Sequence, residues 1–276
     1  MILIMILTRT GRKNNAMTVK PSVLITGAST GIGATYAQRF AERGHDLVLV
    51  ARNVEKLEAN AARLSKDTGV SVTVFPADLT DETQIAAVEA RLREDTSIGV
   101  VINNAGGNVA GSFVTQDAQD LTRLVTLNAT SVLRLSHAVA PRFAEKGEGA
   151  IVNISSVLGL APEWGTSVYT ATKAFVLSLS QALQAELGPK GVYVQAVLPA
   201  ATRTEIWNYA DQSKLPPMME VVDLVDAALA GFDRREGVTI PPLHDEARWA
   251  ALEVARGTLL QDIGHTTPAD RYRTVV

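Results

Sequence analysis

From Val23 onward the chain alternates short apolar runs rich in β-branched residues with longer stretches of helical periodicity. A parallel sheet covered by crossover helices leaves this signature, because its strands are buried on both faces while each helix buries one. Strands are predicted at 22–26, 46–51, 71–77, 100–103, 150–155, 193–198 and 238–240. Val48-Leu49-Val50 and Val100-Val101-Ile102 are continuous rather than alternating, which puts apolar side chains on both sides of the sheet. Helices are predicted over 34–43, stopped by Gly44, and 54–66, stopped near Gly69, since glycine just past the last apolar turn readily ends a helix. Longer helical stretches cover 117–144 and 167–187. The rhythm breaks at 200–219, where Pro216-Pro217 and irregular polarity predict a small substrate lid rather than a sheet-covering helix. Helices at 220–232 and 245–263 follow, the second within a C-terminal helical segment over 241–276. No repeat or linker divides residues 21–276, so the expected fold is α/β, one domain built on a doubly wound parallel sheet.

Composition narrows the function classes. With 276 residues, 46% of them hydrophobic, the chain can bury a complete core. A formal charge of −3 supplies no field for nucleic acid or an anionic membrane, so neither is expected as a partner. The absence of cysteine removes disulfides, thiolate metal sites and cysteine nucleophiles, and agrees with a cytoplasmic location. The four histidines show no metal-ligand spacing, so no metal is expected. Residues 1–20 read as a flexible N-terminal extension. Its apolar start, Met1 to Leu7, precedes the basic run, the reverse of a secretory signal, and is too short to span a bilayer. Met17 offers an alternative start.

The first chemical motif is Thr26-Gly27-Ala28-Ser29-Thr30-Gly31-Ile32-Gly33, which follows the first predicted strand and opens the first helix. Glycines at this place allow a tight turn and close backbone approach, and the helix N-terminus favours a pyrophosphate. The spacing G-x-x-x-G-x-G differs from the commoner G-x-G-x-x-G fingerprint. Beyond the second strand the adenosine ribose would be read, and there the chain places Arg52. Arginine pairs with the 2′-phosphate of NADP, whereas a carboxylate would hold the 2′-hydroxyl of NAD, so NADP(H) is the expected cofactor and NAD(H) the less favoured one.

The second motif is Tyr169-Thr170-Ala171-Thr172-Lys173, whose four-residue spacing puts Tyr169 and Lys173 on one helix face. A phenol loses its proton near pH 10. The Lys173 ammonium, joined by the positive charge of oxidised nicotinamide, is expected to lower this by about two to three pH units. Tyr169 would then exchange a proton with a carbonyl or alcohol oxygen. Ser156, just past the run Ile151-Val152-Asn153-Ile154, would hydrogen-bond that oxygen, with Ser155 as a competing candidate. Asn128 lies inside a predicted helix, where asparagine is a poor former, and would hold a water against Lys173.

Taken together, the glycine turn, Asn103-Asn104-Ala105-Gly106, Asn128, Ser156, Tyr169 and Lys173 resemble the classical short-chain dehydrogenase/reductase family, over a span from Ser22 to at least Ile240. The resemblance implies a single Rossmann fold, a nicotinamide cofactor and a catalytic set of Asn128, Ser156, Tyr169 and Lys173. It further implies that Asp78 and Leu79 border the adenine, that Asn104, Ala105 and Gly106 line the cofactor cleft, and that Pro199, Ala200, Thr202 and Thr204 pass the nicotinamide carboxamide. Lys173 would also hold the nicotinamide ribose, and a homodimer or homotetramer is implied. Two departures stand out: Ala200 follows Pro199 where the family usually has glycine, and Thr30 stands where many NADP-preferring members carry a basic residue.

The expected reaction is hydride transfer between a nicotinamide and a carbonyl or secondary alcohol. A catalytically idle NADP(H) sensor or scaffold is a different class of reading, and epimerisation, dehydration or enoyl reduction are others within the family. Serine hydrolysis through Ser156 lacks both a G-x-S-x-G elbow and an evident histidine partner. The lid carries Trp207, Tyr209, Met218 and Met219, which suggests an apolar substrate.

Overall fold

A computed structural model describes residues 20–165, 167–205 and 215–273. Seven strands form one parallel sheet: β1 (Ser22–Thr26), β2 (Leu47–Ala51), β3 (Val72–Pro76), β4 (Ile98–Asn103), β5 (Ala150–Ile154), β6 (Tyr193–Val197) and β9 (Val238–Thr239). Their order is β3-β2-β1-β4-β5-β6-β9. All seven were legible as apolar runs, with ends differing by one or two residues. Alternate residues of β1 enter different layers, Val23 and Ile25 on one side and Leu24 on the other. This is the Rossmann-like, doubly wound arrangement that continuous apolar strands require.

On the first face lie α1 (Gly31–Glu42), α2 (Val54–Thr68) and α7 (Val221–Asp233), contributing Tyr36, Phe40, Leu57, Leu64, Val225 and Leu229. The opposite face is covered by α3 (Glu82–Glu94), α5 (Ser131–Lys146) and α6 (Ser167–Leu187) through Ile85, Val88, Leu135, Val139 and Leu187. The apolar pattern did not single out α3, because its buried stripe is only Ile85, Val88 and Leu92 within a charged sequence. Its start is fixed locally, with Asp81 accepting from the Gln84 N–H at 2.9 Å. α1 starts at Gly31 rather than at residue 34, so the glycine turn itself forms the first helical turn.

One stretch departs from prediction more deeply. The single helix expected over 117–144 is α4 (Ala118–Val125), a π-helical turn (Thr126–Thr130), then α5. A π turn inserts an extra residue and turns a side chain out of register, a device common at functional sites. Here that side chain is Asn128, and it is completely buried.

The predicted lid is described only in part. β7 (Thr202–Arg203) pairs in parallel with β8 (Met219–Glu220), while residues 206–214, including Trp207 and Tyr209, lie outside the described residues. The N-terminal extension lies outside them too, except for Lys20. The C-terminal segment holds α8 (Ala247–Asp262), which buries none of its residues. No helix among the described residues is long and apolar enough to cross a membrane.

Beneath the C-terminal strand ends runs a buried polar ladder. Asn103 of β4 donates through Nδ2 to Asn153 Oδ1 of β5 at 2.9 Å and to Ser136 Oγ of α5 at 3.1 Å. Asn153 in turn donates to Ser180 Oγ of α6 at 2.9 Å. Four elements are thereby locked in one relative position. Asn153→Ala leaves one of the two Nδ2–H donors of Asn103 buried without a partner, the other keeping Ser136 Oγ, and is expected to cost about 1–3 kcal/mol. That loss should be read as a lower urea midpoint at unchanged slope.

Candidate active site

The sheet order reverses between β1 and β4, and there the strand ends part to leave a crevice. Thr26 ties its two sides together: its Oγ1 accepts the N–H groups of Asn104 and Ala105, each at 3.0 Å. Asn104 Nδ2 returns a bond to the Thr26 carbonyl at 2.9 Å. The glycine turn packs into this junction. Gly27 adopts φ +66°, and a Cβ on it would lie 2.8 Å from Asn104 Nδ2. A Cβ on Gly33 would stand 2.3 Å from the Gly27 carbonyl oxygen. Asn60 of α2 holds the carbonyls of Ala28 and Ser29 at 3.2 and 3.1 Å. Thr30 makes no side-chain cap, so the first N–H groups of α1 keep their donors. Helix N–H groups left without a side-chain cap fit a pyrophosphate.

A cleft of about 1400 Å³ extends from this turn along the strand ends. Gly27, Ser29, Thr30, Gly31 and Ile32 line it at the turn, Arg52, Asp78 and Leu79 at one end, and Asn104, Ala105 and Gly106 in the middle. Ser156, Tyr169, Lys173, Pro199, Ala200, Thr202 and Thr204 complete it. Two predicted residues stand apart. Gly33 does not face the cleft; its role is the close helix-to-turn contact just described. Asn128 lies behind the wall, and its amide is used on the protein itself.

At the adenosine end Arg52 is exposed at the end of β2, and its guanidinium makes no hydrogen bond or ion pair among the described residues. Asp78 is already engaged. Its Oδ1 accepts from the Thr80 N–H and hydroxyl at 2.9 and 2.7 Å, and Oδ2 pairs with Arg123 at 3.3 Å. Burial raises the Asp78 pKa, but the Thr80 bonds and the Arg52 and Arg123 cations outweigh it and leave the carboxyl below its usual range.

At the other end, β5 delivers two serines with different tasks. Ser155 Oγ donates to the Lys173 carbonyl at 2.7 Å and so fastens α6 to the strand. Ser156 Oγ donates to the Pro199 carbonyl at 3.3 Å, accepts from the Leu158 N–H at 3.1 Å and hydrogen-bonds Tyr169. Lys173 is 6% exposed, and its Nζ donates to the Ile154 carbonyl at 2.9 Å. Burial brings its pKa down to about 8. Its Nζ stands 5.7 Å from the centre of the Tyr169 ring.

This geometry corrects the expected tyrosine titration. Burial pushes the Tyr169 phenol above its usual value, and the Ser156 hydrogen bond opposes that only in part. The ammonium lies 5.7 Å from the ring centre and bonds to the Ile154 carbonyl, and it does not outweigh the burial of the phenol. The Asn128 side chain bonds to the protein itself. Its Oδ1 accepts from the Gly107 N–H and its Nδ2 donates to the Gly107 carbonyl, both at 2.9 Å, with a further bond to Thr172 Oγ1 at 3.2 Å. The π turn thus aims Asn128 at the segment after β4. A Cβ on Gly106 would lie 3.3 Å from Asn128 Oδ1 and 3.5 Å from Lys173 Nζ, so both atoms converge there.

Ala200 replaces the usual glycine without strain, since among the described residues only Arg235 combines a side chain with positive φ. Sequence reasoning missed Gly107, Asn108, Ala110, Val157, Leu158 and Trp164 as lining residues. All come from connections after strand ends, where no periodicity marks them, and their position past a strand was the one available signal. Pro216 and Pro217, flagged as lid, do reach the cleft.

The short chain dehydrogenase family model matches residues 21–215. The chain is 37% identical over 187 residues to the very-long-chain 3-oxoacyl-CoA reductase of Bos taurus, covering 66% of this chain and 60% of the relative. It is 36% identical over 188 residues to the 17-beta-hydroxysteroid dehydrogenase type 3 of Homo sapiens, covering 67% and 60%. The chain therefore spans 60% of the length of each of these curated relatives. Among solved structures, it is 64% identical to a short-chain dehydrogenase from Sphingobium yanoikuyae in complex with NADPH, with a TM-score of 0.90, covering 92% of this chain and 100% of that one. It is 57% identical to the bulky-bulky ketone specific alcohol dehydrogenase from Comamonas testosteroni, with a TM-score of 0.88, covering 93% and 100%. The fold, the glycine turn and these matches agree, and the chain belongs to the short-chain dehydrogenase family.

Proposed function

We propose that the protein is an NADP(H)-dependent oxidoreductase that interconverts a carbonyl and a secondary alcohol through Tyr169, Lys173, Ser156 and Asn128. The observation that carries this is the meeting of Ser156, Tyr169 and Lys173 at one end of a cleft whose other end holds the glycine turn and Arg52. Arg52 and the NADPH complex of the Sphingobium relative support NADP(H). The bulky ketones named for the Comamonas enzyme support an apolar ketone substrate. On the family resemblance, the proposal also takes the protein to be a cytoplasmic homodimer or homotetramer.

Bound NADPH supplies the hydride. The Tyr169 hydroxyl donates a proton to the carbonyl oxygen, and its raised pKa keeps that proton in place at neutral pH, which suits reduction. Ser156 Oγ, next to it, turns its one hydroxyl proton from the Pro199 carbonyl to the same oxygen as negative charge develops there. The Lys173 ammonium stabilises the phenolate left behind. Asn128 is a positioning residue here: it pins the Gly107 backbone that forms the wall beside Lys173.

Tyr169→Phe is expected to lower carbonyl turnover by about 100-fold or more while the NADPH Kd stays within about threefold. Steady-state kinetics with NADPH titration check this, and undiminished turnover excludes the mechanism. Arg52→Asp should weaken NADPH binding about tenfold or more and move preference toward NADH, read from paired Kd values. The buried lysine carries a stability consequence as well. Its native pKa lies below the ordinary 10.5, so the unfolded chain holds the extra proton between about pH 8 and 10.5, and stability rises with pH across that window. Below about pH 8 the cost is complete, and at about 1.4 kcal/mol per pH unit it amounts to roughly 3 kcal/mol. Lys173→Met should therefore be inactive yet melt higher than the parent below about pH 8, with the gain fading toward pH 10.5.

A further inference from the structure

Trp164 lines the catalytic end of the cleft five residues ahead of Tyr169, yet it is 78% exposed. Leaving an indole in water forgoes one of the largest apolar burials a side chain can offer, about 150–250 Å². The ring is not on a loose strand of chain. Val157 N–H donates to the Pro199 carbonyl at 2.9 Å, and two short 3₁₀ turns, Val157–Gly159 and Pro162–Trp164, follow. The Trp164 N–H itself donates to the Ala161 carbonyl at 3.1 Å. Directly after it the chain presses onto α6: a Cβ on Gly165 would lie 2.3 Å from Thr170 Oγ1. A fixed backbone therefore projects an uncovered aromatic face at the cleft mouth, the arrangement that makes an aromatic anchor cheap to use.

Its surroundings define what it would take. Val157 and Leu158 continue the apolar wall on the same segment, and Pro216 and Pro217 add apolar surface from the arm. Elsewhere in the lining, Gly107 and Ala110 leave room, and a Cβ on Gly107 would meet nothing nearer than Leu127 Cδ2 at 3.6 Å. A carbonyl held by Tyr169 and Ser156 thus has a flat aromatic surface available for one substituent and open space for another.

We propose that Trp164 is a specificity-determining residue whose indole face stacks on the aryl arm of an aryl ketone or aryl carbinol. This rests on the hydride-transfer reading of the same site. Offset stacking adds to simple area burial, so an aryl arm gains over a saturated ring of equal size by about three- to tenfold.

The test compares an aryl alkyl ketone with its cyclohexyl counterpart, using NADPH and the full chain. In Trp164→Ala the ratio of kcat/KM, aryl over cyclohexyl, is expected to fall about three- to tenfold, chiefly through KM, and in Trp164→Phe to stay within about twofold of the parent. A second readout needs no turnover. With Trp207 and Trp249 both changed to Phe, Trp164 is the sole tryptophan, and with NADP⁺ present the aryl ketone should quench its emission more than the cyclohexyl ketone does. A selectivity ratio within twofold of the parent in Trp164→Ala, or equal quenching by the two ketones, overturns the proposal. If the parent reduces neither ketone, the hydride-transfer reading fails, and the quenching comparison still decides whether Trp164 binds the aryl arm.

Discussion

The site is organised around one costly interaction, the burial of the Lys173 ammonium. At 6% exposure it has lost most of its water, and among the described residues no carboxylate pairs with it. It donates a hydrogen bond to the Ile154 carbonyl at the end of β5, a neutral partner that offsets part of the desolvation. Keeping a cation there needs a rigid cage, and each nearby polar contact contributes to one. Ser155 ties the backbone of Lys173 itself, Asn128 fixes the segment after β4, and the Tyr169 ring lies beneath the charge at cation–π range. An intermediate polarity results: low enough to raise a phenol's pKa, yet holding a positive charge where a phenolate would form.

The sheet explains why these groups meet. Strand order turns back between β1 and β4, so connections on either side leave in opposite directions and the C-terminal ends stand open. Thr26 and Asn104 close the junction with three short-range bonds, which brings the glycine turn of α1 and the segment after β4 into contact. β5 and β6 carry Ser156 and Pro199 to the same edge, joined by their own hydrogen bond. A few strand ends thus set the distance between the phosphate-binding turn and the catalytic pair.

Much of this was legible in the chain, for reasons that mark the limits of the reading. Buried parallel strands must be apolar on both faces, so β1, β2 and β4 to β6 declared themselves, and α6 was bounded correctly by its own long apolar pattern. The glycine turn was visible because close backbone approach excludes side chains. By contrast, the π turn at Asn128 follows from one side chain reaching Gly107 across the fold, a partner that no local pattern reveals. The tyrosine titration was misread because sequence gives the spacing of Tyr169 and Lys173 but neither the burial that raises the phenol nor the Ile154 carbonyl that holds the ammonium. The connections that supply Gly107, Trp164 and Glu205 to the cleft carry no periodicity at all.

The two sides of the cleft differ in how firmly they are held. Its floor rests on strands whose central residues are wholly buried and on the Asn103–Asn153–Ser180 ladder, so moving it would expose core and break buried hydrogen bonds together. The arm after β6 is attached more lightly. β7 and β8 share two residue pairs, and Glu205 meets Lys56 of α2 in an ion pair at 2.8 Å whose side chains are both about half exposed. A solvent-screened pair of this kind contributes only about 0–1 kcal/mol. Thr204 nevertheless sits close over Gly31, near enough that a Cβ on the glycine would approach its methyl group to 3.1 Å. The wall over the phosphate-binding turn is therefore held, among the described residues, chiefly by a short ladder and exposed ion pairs, while the proton-transfer groups stand on buried strands and hydrogen bonds.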